Sequence, residues 1–526
     1  MSGYKQNALL PYTHEWTFES VERHHAAIDH VARGEFALDI YPIQIEYITS
    51  AQMLDRYSSV GLPVDYADHW SRGQQFVHES EQYKRGQQGL AYEIVINTDP
   101  CIGYLMEQNS NTMQALVIAH ACYGHNSFFK GNYLFQMWTE PSIIVDFLVA
   151  ARAYIKECET KYTVERVERL LDACHALMMH GVDRVKRPHE KTKREKEEAR
   201  KEREEYRQSQ VNDLWAHTIP GYHSHISVES RNKNIIDEPQ ENILKFCEEK
   251  APFLEAWERE IIRIVREVAQ YFWPQRQTQV MNEGWATFWH YTILQRLYDT
   301  GVVGDPFMFE FLKSHAGVVR QLPYNHPYYS GINPYYLGLS MYTDIRRIAE
   351  GGVWRGGTFH KDTATQQRED AEWFPKLVGK DWREVLDEAM RNYRDDSFVA
   401  QFLSPKVMRD MKLFSTLNKE GVDHTLVQAI HDEDGYHTVR ENLSQQYSLS
   451  HREAVIVATE VDVTGDRTLR VEYQPHSGRQ LEPDEAYSTT YFLAYLWTCP
   501  VELVMNHGDG TTSLLARVDR VEFFKR

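Results

Sequence analysis

The chain has 526 residues, with 76 acidic and 58 basic side chains and a net charge of −18. An apolar fraction of 42%, with 31 Tyr, 22 Phe and 12 Trp, excludes a disordered chain. The excess of acidic residues argues against a nucleic-acid-binding protein, because phosphate contacts need a basic surface.

Targeting and membrane signals are not visible in the sequence. The first 25 residues lack the charged start and the apolar run of a secretory signal. The most apolar stretch, IIVDFLVAARAYI, is interrupted by Asp146 and Arg152, so we expect no integral membrane segment. The six cysteines form no CxxC pair and are expected to be reduced core thiols. These features predict a cytoplasmic protein.

Residues 1–185 are predicted to form an N-terminal lobe with one strand and several helices. Amphipathic patterns predict helices within 17–32 and 43–61, and β-branched and aromatic residues predict a strand in GLAYEIVINTDP. Asn111 is the predicted cap of a strongly apolar helix, NTMQALVIAHACYGHNSFF.

The rest of the chain divides by composition. Residues 186–210 are a predicted charged helical linker, because both charge signs alternate there at helical spacing. Residues 211–424 are predicted to be a second helical lobe, which contains the segment NEGWATFWH. Residues 425–526 are predicted to form a C-terminal α+β module of two β-hairpins and one helix.

Two histidines, His120 and His125, lie five residues apart in the apolar helix. Buried imidazoles need partners, because an unsatisfied buried polar group is costly. In a regular α-helix, five residues turn the chain by about 500°, which leaves the two side chains about 140° apart. We therefore expect a π-bulge or a break between Ala121 and Gly124, which would bring both rings to one metal ion.

Further ligand-type side chains lie on two other helices. Glu283 and His290 share a face, with Thr287 between them, and aromatic residues surround the carboxylate, which is therefore expected to bind a cation. Asp172 and His175 form an i,i+3 pair that would bind a metal or orient a ligand.

A tyrosine-rich loop between residues 324 and 336 carries phenols and one imidazole. Such groups beside a metal ion can stabilise an oxyanion. Tyr324 and His326 are therefore predicted catalytic residues. The other polar members of the loop are Tyr328, Tyr329, Asn333, Tyr335 and Tyr336.

The order of a strand, a His-bearing helix and a distant Asn-Glu-Gly helix is similar to that of gluzincin-type zinc metallopeptidases. There, an edge strand aligns the substrate, two His and one Glu hold Zn²⁺, and an open position keeps water. Ala121 stands where the HExxH helix has its general base, so Glu107, Glu140 and Asp172 are the candidate bases. The predicted fold class is mainly α, with a zincin-like α+β core and a small C-terminal α+β domain.

Several long segments also resemble one known family. The segments HACYGHNSFFKGNYLF, CHALMMHGVDRVKRP, VMNEGWATFWHYTIL, YSGINPYYLGLSMYTDIRR and FLSPKVMRDMKLF are similar to the SpoVR (stage V sporulation protein R) family, and the similarity runs over almost the whole chain. The resemblance implies spore-cortex, stress or stationary-phase physiology in the cytosol. It also implies a PrkA-type serine kinase and a von Willebrand-like protein as partners, but no established reaction.

Three functions remain open from the sequence. The first is a zinc-dependent peptidase or amidase acting on envelope-related peptides, with iron less favoured as the metal. Its predicted ligands are His120, His125 and Glu283, with His175 or His290 as a further ligand or orienting group. The second is a regulatory or scaffold protein of the kinase system. The third is a di-metal carboxylate oxidase, which normally needs two ExxH-type pairs.

Overall fold

A computed structural model describes residues 9–10, 12–58, 62–84, 93–186, 236, 239–355, 357–417, 426–429, 432–475, 481–507, 510–517 and 520–525. Apart from residue 186, the predicted charged linker at 186–210 lies outside the described residues. The protein is mainly helical, with small sheets and a strand-rich C-terminal region. None of the described helices is long and apolar enough to cross a bilayer.

Two compact units make up the chain. The first consists of Met1–Glu168 and Gln270–Glu453, and the second of Arg169–Ala269 and Ala454–Arg526. The predicted lobes 1–185 and 211–424 each contribute residues to both units.

The helices of the described residues are numbered in chain order. The first ten are α1 (Phe18–Asp29), α2 (Ser50–Ser58), α3 (Trp70–Lys84), α4 (Asn111–Val117), α5 (Asn126–Gly131), α6 (Tyr133–Trp138), α7 (Ile144–Tyr162), α8 (Val164–Ala176), α9 (Ile243–Lys250) and α10 (Ala256–Gln277). The next ten are α11 (Gln279–Asp299), α12 (Asp305–Val318), α13 (Pro334–Glu350), α14 (Ala364–Trp373), α15 (Trp382–Asn392), α16 (Asp395–Phe402), α17 (Pro405–Asp410), α18 (Glu433–Tyr447), α19 (Leu449–Arg452) and α20 (Pro483–Trp497). Shorter segments are two π-helices, His30–Glu35 and Ile118–His125, and a 3₁₀ turn, Met178–His180.

A three-stranded sheet lies in the first unit. Its strands are β1 (Ile43–Ile48), β2 (Glu93–Ile96) and β3 (Cys101–Met106), in the order β1-β3-β2. Strand β1 runs parallel to β3, and β2 runs antiparallel to it. Two short hairpins follow, β4 (Gly352–Arg355) with β5 (Thr358–Lys361), and β6 (Ser415–Leu417) with β7 (Leu426–Ala429).

Three sequence predictions in this region were wrong in detail. Residues 43–48 form β1 and not a helix, because IQIEYI alternates at period two and finds a partner in β3. The predicted strand ends at Ile96, and β3 follows it as a second strand that the sequence prediction missed. The helix cap is Ser110, whose side chain accepts a hydrogen bond from the backbone amide of Met113, while Asn111 is the first helical residue.

The second unit contains a five-stranded sheet in the order β12-β11-β10-β9-β8. Its strands are β8 (Val455–Val461), β9 (Leu469–Gln474), β10 (Val501–His507), β11 (Gly510–Arg517) and β12 (Arg520–Lys525). The two predicted hairpins, β8-β9 and β10-β11, are confirmed. Strands β9 and β10 are parallel, so the chain must cross over between them, and α20 makes that crossover.

Helix α11 lies at the centre of the first unit's apolar core. Its Trp285 ring packs edge-on against Tyr342 of α13, with ring centroids 5.3 Å apart. Gly284 and Gly338 let the backbones of these helices touch, since a Cβ on Gly284 would lie 2.3 Å from the Cα of Gly338. The six cysteines are all buried free thiols, as expected.

Candidate metal centre

The helix that carries His120 and His125 is π-helical from Ile118 to His125, as the spacing of the histidines predicted. An i→i+5 hydrogen-bond pattern places residues five apart above each other, which an α-helix does not do. The two rings are consequently close, with centroids 4.6 Å apart and planes at 87°. The local distortion therefore brings both imidazoles to one place.

Helix α11 approaches this π-helix closely enough to add a carboxylate. Gly124 makes the approach possible, because a Cβ at that position would lie 2.5 Å from the Cα of Ala286. The Oε2 atom of Glu283 then lies 3.5 Å from Nε2 of His125 and 3.9 Å from Nε2 of His120. One ligand atom from each of the three side chains lies within 4.8 Å of the others.

The Glu283 carboxylate is largely buried, and two opposing effects act on its ionisation. Burial opposes ionisation, but the neighbouring His125 and His120 outweigh it and hold the pKa of Glu283 below its ordinary value. Its Oε2 atom is buried and has no hydrogen-bond partner in the described structure. A buried anionic oxygen without a partner is costly, and a cation at this point would remove the cost.

A second carboxylate, Glu93 at the start of β2, faces the same space. Its Oε1 atom lies 3.7 Å from Nε2 of His120, and its Oε2 atom is buried without a hydrogen-bond partner among the described residues. The pKa of Glu93 is raised to about 7, because burial and the neighbouring Glu283 outweigh the opposing effect of His120. Sequence reasoning missed this residue, although a single Glu inside the apolar strand sequence AYEIVI was a visible signal.

Neighbouring polar groups orient the candidate ligands. The Nδ1 atom of His125 lies 2.8 Å from Oδ1 of Asn282. Tyr335 hydrogen-bonds Glu283, and its ring stacks beside His120 at 6.2 Å. Tyr335 lies in the first turn of α13, which Asn333 caps by accepting a hydrogen bond from the Tyr335 amide. Metal-binding side chains in proteins are usually held by such outer partners.

Comparison with known proteins identifies the family. The family description "SpoVR like protein" matches residues 15–452, and "SpoVR-like C-terminal domain" matches residues 454–507. The chain belongs to the SpoVR family. It is also similar to "Uncharacterized protein YcgB" of Escherichia coli (strain K12), with 53% identity over 503 residues, which cover 96% of this chain and 95% of that protein. No solved structure matches the chain.

The border between the two SpoVR family matches coincides with a border in the structure. The first match ends at residue 452 and the second begins at 454, and the first compact unit ends at Glu453. Helix α18 lies before this border, and its Tyr436, Val439 and Leu443 belong to the core of the first unit. The residues of the candidate metal centre therefore all lie within the first SpoVR match.

His290 is close to the centre but outside the group of three candidate ligands. It is fully buried on α11, and its Nδ1 atom lies 2.9 Å from Nδ1 of His120. Its Nε2 atom lies 2.8 Å from Nδ1 of His315. Both ring nitrogens are thus engaged with other imidazoles. The geometry fits an orienting group, which was one of the two roles predicted for His290.

The structure does not bring the other predicted site residues into this cluster. Glu107 and Glu140 are exposed. Tyr324 is 55% exposed, and its ring contacts Tyr329 and Phe414. The His326 ring packs on Tyr328. Asp172 and His175 lie on α8, in the second unit.

Asp395 anchors the helix that supplies Glu283. Its two carboxylate oxygens accept hydrogen bonds of 2.9 Å from the backbone amides of Val280 and Met281, in the first turn of α11. Asp395→Ala should lower the free energy of unfolding by about 1 to 3 kcal/mol, because two buried amides lose their acceptors. Urea denaturation of the two proteins measures this difference. An unchanged midpoint would show that the helix does not depend on this anchor.

Proposed function

We propose that this protein is a zinc-dependent hydrolase of amide bonds, with His120, His125 and Glu283 as the metal ligands. The main support for the proposal is the group of two imidazoles and one carboxylate, whose ligand atoms lie within 4.8 Å of one another. Two His and one Glu are the ligand set of one class of catalytic zinc sites, and three protein ligands leave a fourth position for water or substrate. The Oε2 atom of Glu283, which has no hydrogen-bond partner among the described residues, also fits a cation.

The residues around the proposed ion have separable roles. When bound, zinc polarises a carbonyl group and makes water more acidic. Glu93 faces His120 from β2 and replaces the base that is missing at Ala121, so it accepts the proton of the attacking water. The Tyr335 hydroxyl donates a hydrogen bond to Glu283 and would hold this carboxylate in place toward the metal ion.

The strand that carries Glu93 supports a peptide as the substrate. Among the described strands, β2 pairs only with β3, and its other edge has no described strand beside it. An extended peptide can add to such an edge as a further strand. The proposed substrate is accordingly an extended peptide, and SpoVR family membership favours an envelope-related one.

Metal analysis of protein purified without a His-tag tests the proposal. We expect about one equivalent of zinc per chain. Two equivalents of iron would instead support the di-metal oxidase. A protein without bound metal that also takes up none from solution would support the regulatory or scaffold role beside a PrkA-type kinase and a von Willebrand-like protein.

Glu93→Gln should separate catalysis from metal binding. We expect the variant to keep its zinc but to hydrolyse a fluorescence-quenched peptide library about 100 to 10,000 times more slowly, because the proton acceptor is lost. Zinc content and initial rates measure the two effects on the same preparation. Glu19→Gln is the matched control, since Glu19 is an exposed residue of α1. Unchanged hydrolysis by Glu93→Gln would exclude Glu93 as the base.

A further inference from the structure

Three histidine rings form a continuous chain that begins at the candidate metal centre. Nδ1 of His120 lies 2.9 Å from Nδ1 of His290, and Nε2 of His290 lies 2.8 Å from Nδ1 of His315. The buried His290 ring packs edge-on against Phe311 of α12, with centroids 6.0 Å apart. The proposed function uses only the first of these rings.

Metal binding by His120, at one end of the row of three histidines, fixes the direction of both hydrogen bonds between the rings. A neutral imidazole has one N–H donor and one bare nitrogen that accepts. If Nε2 of His120 binds the metal ion, the proton of that ring must lie on Nδ1, and Nδ1 of His290 must accept it. His290 then carries its own proton on Nε2 and donates it to Nδ1 of His315. The backbone carbonyl of Ala286 is a second acceptor for the His120 ring.

The two outer rings are suited to orientation because each contact in the chain is at hydrogen-bond distance, 2.9 Å from His120 to His290 and 2.8 Å from His290 to His315. The partner of a metal-binding His is most often a carboxylate, a carbonyl or water. A neutral imidazole fixes the ring without adding negative charge, so the metal ion keeps more of its positive charge.

We propose that His290 and His315 are positioning residues, which hold the His120 ring with its Nε2 atom directed at the metal ion. His290 accepts the Nδ1 proton of His120, and His315 fixes the orientation of His290. This inference rests on the proposed function, because it requires a metal ion at His120. Neither residue contacts the substrate.

Two amide substitutions at position 290 test the proposal. The Oδ1 atom of Asn is as many bonds from Cα as Nδ1 of His, so His290→Asn keeps an acceptor beside His120. The amide of Gln reaches one bond further, toward the position of Nε2, so His290→Gln keeps the contact with His315 and loses the acceptor for His120. The two variants have the same chemistry and differ only in reach.

Zinc affinity, measured by competition with a chelator, should separate the two variants. We expect His290→Asn to bind zinc about as tightly as the natural protein and His290→Gln to bind about 10 to 100 times more weakly, the range for loss of an outer partner. His315→Leu should weaken binding in the same direction but less. His78→Leu, at an exposed position on α3, should change nothing.

The outcomes distinguish the chain of histidines from the metal site itself. Equal zinc affinity of His290→Asn, His290→Gln and the natural protein would overturn the positioning role and leave the proposed function intact. Equal losses in both amide variants would show that position 290 matters only for packing, which also overturns it. A natural protein that binds no zinc would overturn the proposed function and this inference together.

Discussion

Glu283→Gln should lower zinc affinity by more than about 100-fold, which exceeds the usual cost of losing an outer partner. The substitution keeps the shape of the side chain but removes the only anion among the three proposed ligands. Zinc binding should also stabilise the natural protein by about 2.7 kcal/mol when zinc is present at 100 times its dissociation constant. In the variant the same zinc concentration should add only about 0.4 kcal/mol.

Denaturant unfolding with and without zinc measures this difference. Glu19→Gln removes a negative charge from the exposed surface of α1 and should respond to zinc as the natural protein does. Metal-free Glu283→Gln should unfold cooperatively, which shows that the loss lies in binding and not in folding. If the variant keeps both its zinc and its response to zinc, Glu283 is not a ligand.

Gly284→Ala should destabilise the protein by about 3 kcal/mol, at the upper end of the range for overpacked cores. The added Cβ would lie 2.3 Å from the Cα of Gly338, and backbone atoms cannot move aside as the end of a side chain can. Helices α11 and α13 must therefore separate. Because Glu283 is the preceding residue, we also expect weaker zinc binding in this variant.

The same substitution at an open position gives the opposite sign. Gly73 lies on the exposed surface of α3, and a Cβ there would meet no atom within 4 Å. Gly73→Ala should raise the free energy of unfolding by roughly 0.5 to 1 kcal/mol, because Ala loses less conformational freedom in a helix than Gly. Urea denaturation measures both variants. A Gly284→Ala protein as stable as Gly73→Ala would contradict the close packing of α11 on α13.

Gly124 offers a way to compare SpoVR family members. The π-helix and Gly124 act together, because the π-helix converges the two imidazoles and Gly124 allows α11 to bring Glu283 to them. A family member that has both histidines but a larger residue at the position of Gly124 should bind metal weakly. Gly124 is therefore as diagnostic of the proposed centre as its proposed ligands.

The sequence by itself determined those features that depend on neighbours along the chain. Periodicity identified the helical class and both C-terminal hairpins. The five-residue spacing of His120 and His125 predicted a π-bulge or a break, and the structure contains a π-helix there. Aromatic neighbours set Glu283 apart from a solvated surface residue, and only 22% of its side chain is exposed. These inferences succeeded because side-chain direction within one element follows from its helical or extended repeat.

Only the tertiary structure decided which distant residues meet. Glu93, Tyr335 and His315 reach the centre from a strand and two further helices, and their separations in sequence carry no information about distance. Strand β1 was mistaken for helix because its partner β3 lies more than 50 residues later in the chain. The physical reason is the same in each case, since contacts between elements are set by how apolar faces pack and not by local repeat.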